Sequence, residues 1–312
     1  MKLTMRLYQT EDDWWRIREF LRQVFLLNGR REWSWHVARL DYWRWHGIEN
    51  LGDGKLERDV FIWETTDGQI VAVLNREGPG DAFLQTHPSF RAPELEAEMI
   101  GVAEEHLTRT RADGTRALCV WTDSRDDLRQ TILTRRGYVK RGEAEHQWRR
   151  ALDAPIPDVP LAPGYTIRAL GDGLELLERC YASGLGFHDG DIKIAVDNRN
   201  DPTWYRNIQT APLYRRDLDL VSVAPDGAIA SFTTIWFDDV TRSAYFEPVA
   251  TVPAHQRRGL AKAVMLEGLQ RLKRMGAVIA FVGGYSPEVN ALYASVMGNE
   301  FDLSEPWVRE KK

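Results

Sequence analysis

Two stretches of this sequence, about 160 residues apart, describe the same device. "DVFIWETTDGQIVAVLN" and "DLDLVSVAPDGAIASFTTIWF" each run strand, Asp-Gly turn, strand, with the turns at Asp67-Gly68 and Asp226-Gly227. Each follows a short strand, Met5 to Tyr8 in one case and Tyr165 to Arg168 in the other. Each is continued by a strand, a helix, an apolar strand (Ala117 to Trp121; Val278 to Val282), another helix and a charged final segment. Between the copies, "ALDAPIPDVPLAPGYT" holds Pro155, Pro157, Pro160 and Pro163, a composition that suits an extended connector. The expected organisation is a mixed α/β domain made twice: residues 1–153, a linker at 154–163, and residues 164–312. Each copy has about 150 residues, enough to bury a core of its own.

The formal net charge of −5 provides no overall basic field, which argues against nucleic acid as the main partner and makes any anion site a local one. No apolar run approaches the roughly 18 residues of a membrane span, and "MKLTMRLYQTEDDWW" lacks a signal-peptide core. A cytoplasmic protein without membrane partners is expected. Cys119 and Cys180 make no disulfide framework and belong to no cluster with zinc spacing, so buried thiols and no metal are expected.

Local chemistry concentrates in "ATVPAHQRRGLAKAVM", Ala250 to Met265. A β-branched strand end leads through a proline to Arg257, Arg258 and Gly259, and then to a run in which Leu260, Ala263, Val264, Leu266, Leu269 and Leu272 share one helical face. A helix starting near Arg258 or Gly259 leaves several N–H groups unpaired at the loop, and these with the helix dipole favour an anion. Gly259 and Ala261 carry no side chain that would keep a phosphate from the backbone.

"TVPAHQRRGLA" resembles the Q/R-x-x-G-x-G/A signature of the GNAT acyltransferases, whose loop and helix cradle the pyrophosphate of acetyl-coenzyme A. "GGYSPEVNALYASVMGNEF", about 30 residues on, resembles the final helix of that family. The resemblance implies two tandem GNAT-like domains, each a mixed, mostly antiparallel sheet flanked by helices. It assigns Ala250, Thr251 and Val252 to main-chain contacts with pantetheine. Gln256, Arg257, Arg258, Gly259, Leu260, Ala261 and Lys262 would hold the pyrophosphate, Asn290 would lie near the cofactor, and Tyr293 would face the thioester. Ala261 stands where glycine is commoner, and Gly298 and Phe301 follow Tyr293 at five and eight residues rather than the usual four and five. Pro248 suits the bulged strand that opens the pantetheine slot in such folds.

The first half is an internal control. Aligning Pro88 with Pro253 sets Glu94 on Gly259 and Glu96 on Ala261, two carboxylates where a pyrophosphate would bind. That half is expected to keep the fold without the cofactor, as in tandem GNAT proteins such as the mycothiol synthases. Acyl transfer to an amine needs a base, because an alkylammonium has a pKa near 10.4. Glu247 is the first candidate, with Asp238 and Asp239 read rather as a turn. Tyr293 would protonate or hydrogen-bond the departing sulfur, and a main-chain N–H on the bent strand would polarise the thioester oxygen. His188 beside Asp189 and Asp191 is a poor metal set, and Trp35, Val37, Leu40 and Trp43 read as a packed face. The expected activity is transfer of an acetyl group to a small-molecule amine by a monomer or homodimer. A non-catalytic acyl-CoA-binding protein is the alternative.

Overall fold

A computed structural model describes residues 2–52, 54–158 and 161–311. Val159 and Pro160 of the expected linker, and the end residues Met1 and Lys312, lie outside the described residues. In chain order the elements are β1 (Thr4–Leu7), α1 (Glu11–Leu27), α2 (Val37–Tyr42), α3 (Leu56–Asp59), β2 (Val60–Glu64), β3 (Ile70–Asn75), β4 (Asp81–Thr86), α4 (Pro93–His106), β5 (Arg109–Thr110), β6 (Arg116–Asp123), α5 (Asp127–Arg135), β7 (Val139–Lys140) and β8 (Glu145–Ala151). They continue with β9 (Thr166–Ala169), α6 (Leu174–Phe187), α7 (Ile192–Asn200), α8 (Thr203–Ile208), β10 (Asp219–Val223), β11 (Ile229–Asp238), β12 (Ser243–Thr251), α9 (Leu260–Arg274), β13 (Ile279–Gly284), α10 (Pro287–Met297) and β14 (Phe301–Lys311). Among the described residues no helix is long and apolar enough to cross a membrane.

The chain forms two compact units, one running to Gln147 and taking in the stretch from Asp302 onward, the other Trp148 to Phe301. The linear division placed residues 302–311 with the second half. In the structure this strand runs antiparallel along β6, from Ser304 opposite Asp123 to Lys311 opposite Arg116.

In the first unit the strand order is β1-β2-β3-β4-β6-β14, and in the second β9-β10-β11-β12-β13-β8. β4 runs parallel to β6 and β12 to β13, whereas β1–β2, β2–β3, β3–β4 and β6–β14 in the first unit and β9–β10, β10–β11 and β11–β12 in the second are antiparallel. The expected Asp-Gly turns close both hairpins, with Gly68 N–H donating to Thr65 C=O and Gly227 N–H to Ala224 C=O. In the second core, Val264, Leu266, Leu269 and Leu272 of α9 pack with Leu220, Ile235 and Phe246. In the first, Leu95, Met99, Ile100 and Ala103 of α4 pack with Phe61, Trp63, Leu74 and Leu118. Both helices fit because apolar residues recur at three- and four-residue spacing on the face turned to the sheet. Trp35, Val37, Leu40 and Trp43 are all buried.

Candidate active site

The site of the second unit begins where β12 leaves β13. Their parallel pairing covers Ser243 opposite Ile279, Ala244 opposite Ala280 and Tyr245 opposite Phe281, and goes no further. At that point β12 also slips against β11, since Thr233 faces Val249 while Ile235 faces Phe246, so that β12 carries an extra residue. The bulge contains Glu247 and the cis-linked Pro248, and the Trp236 indole N–H donates to the Glu247 carbonyl at 2.6 Å. Beyond it, β12 stays on β11 and a slot opens towards β13.

The main-chain directions in the slot follow from the ladder. Val252 N–H donates to Ala230 C=O at 2.9 Å, and Ala250, two residues earlier, is turned to β11 in the same way. The Ala250 carbonyl also accepts from the Ser231 hydroxyl at 2.8 Å. Of the three residues expected to meet pantetheine, Ala250 and Val252 thus direct their peptide groups to β11. The slot-facing peptide groups are those of Thr251 and of Val249, a residue the sequence did not single out.

After a turn at Pro253–His255, the loop curls through two left-handed residues, Arg257 (φ 62°) and Gly259 (φ 75°). The Gln256 side-chain amide caps the strand end by donating to Thr251 C=O. α9 starts at Leu260, as the sequence indicates to within a residue, and its first hydrogen bond runs from Ala263 N–H to Gly259 C=O. The N–H groups of Leu260, Ala261 and Lys262 therefore have no acceptor within the helix, and no side chain caps it. A side chain at 259 would meet no heavy atom within 4 Å, so this face of the loop is open. Among the described residues no carboxylate pairs with Arg257, Arg258 or Lys262. Arg258 lies 6.0 Å from the ring of Tyr165, whose hydroxyl is hydrogen-bonded to His255.

The first unit has no such loop, for a different reason than the alignment suggested. After its turn at Pro88–Phe90 only Arg91 and Ala92 precede α4, against the four residues Gln256 to Gly259 in the second unit. Pro93, the first helical residue, has no N–H, and Ala92 is extended (φ −143°). Glu94 is exposed and does not take the place of Gly259. Glu96 is fully buried and accepts from Arg91 at 2.9 Å and Arg129 at 2.8 Å. Burial raises its pKa, but Arg129 and Arg91 outweigh this and hold it down at about 2.

On the far side of the slot, α10 is capped by the Ser286 hydroxyl and presents Asn290 and Tyr293 one turn apart. Asn290 Oδ1 accepts from the Trp148 indole at 2.9 Å. Gly284 lets both approach the end of β13: a Cβ there would stand 2.5 Å from Asn290 Oδ1 and 2.9 Å from the Tyr293 ring. Tyr293 is 7 % exposed and its hydroxyl makes no hydrogen bond among the described residues. Burial, and then the negative charge of Glu247, push its pKa well above 10. Glu247, at the bend, and Tyr293, on the helix, are thus brought into one electrostatic neighbourhood.

The weaker candidates resolve into local structure. Asp238 accepts from the main-chain N–H and the hydroxyl of Thr241, forming a turn. Asp191 caps α7 by accepting from Ile194 N–H, and His188 is exposed. Among the described residues no cluster could hold a metal ion. Cys180 is buried and Cys119 partly so, and burial pushes both thiols up to about 12.

Residues 191–298 match the model of the acetyltransferase (GNAT) family. No curated protein sequence matches the chain significantly. Among solved structures, a tandem GNAT protein from the clavulanic acid biosynthesis pathway is similar with a TM-score of 0.62 and 15% identity, covering 99% of this chain and 98% of that one. A GCN5-related N-acetyltransferase from Sphaerobacter thermophilus has a TM-score of 0.61 and 16% identity, covering 99% and 95%. A GNAT-family acetyltransferase from Colwellia psychrerythraea has a TM-score of 0.61 and 10% identity, covering 99% and 100%. At these identities the likeness is one of fold.

Proposed function

We propose that the second unit, in which residues 191–298 match the acetyltransferase (GNAT) family model, transfers an acetyl group from acetyl-CoA to the amine of a small molecule. The observation that carries this reading is the slot between β12 and β13 ending at an uncapped helix whose first N–H groups, beside three unpaired cations, have no acceptor. Leu260, Ala261 and Lys262 would hold the pyrophosphate through the main chain, with Gln256, Arg257, Arg258 and Gly259 shaping and charging the loop. Thr251 and Val249 would take the pantetheine arm as a strand takes a neighbour, and Asn290 would flank it.

Glu247 is the base of this scheme. It stands at the bend, where an amine approaching the slot can pass it a proton, directly or through water. An N–H of the bent strand would polarise the thioester carbonyl. The raised pKa of Tyr293 sharpens its part, because a phenol so weakly acidic keeps its proton against a thiolate of pKa about 8.5. Tyr293 would therefore stabilise the departing sulfur by a hydrogen bond more than by full proton transfer. Acetyl-CoA supplies the activated acyl group, and the chain supplies orientation and charge.

Thioester turnover with a panel of small amines, read as free thiol, tests the proposal. Tyr293→Phe and Glu247→Gln are each expected to lower turnover by about 10²-fold or more while coenzyme A still binds. If both variants bind and neither loses turnover, these roles are wrong. If the wild type binds coenzyme A and acetylates no amine, the non-catalytic reading stands instead.

A further inference from the structure

Glu247 sits on a device that the first unit lacks. In both units one strand parts from its parallel neighbour, after Tyr245 opposite Phe281 in the second and after Phe83 opposite Trp121 in the first. In the first unit that strand stays in register with its antiparallel neighbour, from Asn75 opposite Phe83 through Val73 opposite Gln85 to Ala72 opposite Thr86. In the second, the same stretch runs from Trp236 opposite Tyr245 to Thr233 opposite Val249 with a residue added, so that Glu247 and Pro248 stand where Gln85 stands alone. The strands part in either case, so the added residue has another purpose.

The bulge sets Glu247 on the face away from α9. Phe246 and Val249 both pack with the α9 core, and so do Ile235 and Phe237 of β11. Glu247 and Trp236, lying between them in sequence, take the opposite face. A bulge leaves its extra residue outside the ladder, and here the Trp236 indole N–H donates to the Glu247 carbonyl at 2.6 Å. Asn75, at the matching register position of the first unit, is bonded to a side chain instead, accepting from the Gln85 amide at 3.2 Å.

Trp236 is fully buried, so it does not touch a substrate. Its ring meets Tyr214 edge to face at 6.4 Å, and the Tyr214 hydroxyl donates to the buried Asp219 at 2.8 Å. The Tyr205 hydroxyl donates to the same carboxylate at 2.7 Å and lies 3.1 Å from the hydroxyl of Thr234, the β11 residue opposite the bulge. An indole confined in this way offers its N–H in one direction, and that direction fixes the main chain from which the Glu247 side chain springs.

We propose that Trp236 is a positioning residue for acyl transfer: its bond to the Glu247 carbonyl sets the bulge and holds the Glu247 carboxylate at the slot. The proposal rests on the reading of Glu247 as the base. Misplacing a reacting group by about 1 Å costs up to about 10²-fold in rate, so loss of this bond should appear in kcat.

The test is Trp236→Phe in the full chain, which keeps an aromatic ring and removes the donor. Turnover of acetyl-CoA with the amine panel should fall by about tenfold or more and coenzyme A affinity by less than about twofold, with thermal unfolding reporting the fold. Placed on Glu247→Gln, the same substitution should cost less than about twofold further, because a residue acting through Glu247 then has nothing left to position. Tyr214→Phe, which disturbs the same packing and leaves the indole donor in place, should change turnover by less than about threefold. Should Trp236→Phe not fold, benzothienylalanine at position 236, with sulfur in place of the N–H, makes the same comparison at the size of the indole. The 13C resonance of the Glu247 carboxyl, assigned by its absence in Glu247→Gln, reads the positioning whether or not any amine is acetylated. It should be one sharp line in the wild type and broaden or divide when the donor is removed. The proposal is overturned if that line stays sharp in the folded variant, if the loss of turnover multiplies with that of Glu247→Gln, or if Tyr214→Phe loses as much. Full turnover in Glu247→Gln would overturn both the proposal and the base assignment, whereas an impaired Glu247→Gln beside an unaffected Trp236→Phe overturns the proposal alone.

Discussion

Gly259 allows the shape of the anion loop to be separated from its charge. Its φ of 75° is left-handed and the space around its missing side chain is open, so a substitution there acts through backbone strain or through charge but not through collision. Asparagine adopts this conformation readily, while alanine costs about 1–2 kcal/mol. Coenzyme A affinity should therefore fall by less than about threefold in Gly259→Asn and by about 5- to 30-fold in Gly259→Ala. Glutamate has the same strain and adds a carboxylate about 5 Å from an anion held on the N–H groups of Leu260 and Ala261. At effective dielectric constants between 80 and 20, that repulsion is about 0.8–3 kcal/mol, a further 4- to 150-fold. Calorimetric titration with coenzyme A at low and high salt provides the check. The glutamate increment should shrink at high salt as screening shortens, whereas the alanine loss should not change. If Gly259→Glu and Gly259→Ala bind equally, or the increment ignores salt, the anion is not held at this helix start.

Two further outcomes follow from the packing around the slots. The Glu96 pKa is depressed from 4.5 to about 2, which at about 1.4 kcal/mol per unit contributes roughly 3 kcal/mol of stability, fully present above pH 4.5 and lost as pH falls towards 2. Denaturant unfolding between pH 5 and 2 should show the wild type losing about that much more than Glu96→Gln, and parallel losses in the two proteins would contradict the pairing with Arg129 and Arg91. Gly284→Ala forces a Cβ against Asn290 and Tyr293 at 2.5 and 2.9 Å, so it should destabilise the second unit by about 1–3 kcal/mol. Because the 256–262 loop is untouched, the same variant should lose more turnover than coenzyme A affinity, and an unchanged kcat would show that the tyrosine can shift without consequence.

What was legible in the sequence is local. The Asp-Gly turns, the apolar face of α9 and the glycine at its start depend on residues within one or two turns of each other, and each appears where expected. What was not legible depends on partners far along the chain. "FDLSEPWVREK" reads as a strand, but nothing in its pattern says that the open edge it takes is that of β6 in the first unit. The shortened loop was closer to view. Pro93 marks a helix start, since proline favours the first helical position, and equal spacing from Pro88 and Pro253 obscured a difference of two residues. Glu32 gave no signal at all, because "RREWSW" reads as a polar loop, yet the residue is 8 % exposed.

The two slots, built on the same strand order, differ most in what faces them. In the second unit the groups without partners are main-chain donors and cations, at a helix start left uncapped by a left-handed glycine. In the first, a proline and two missing loop residues remove those donors, and Glu96 takes up Arg91 and Arg129. The anion-binding loop has thus been lost while the parting of the strands has not.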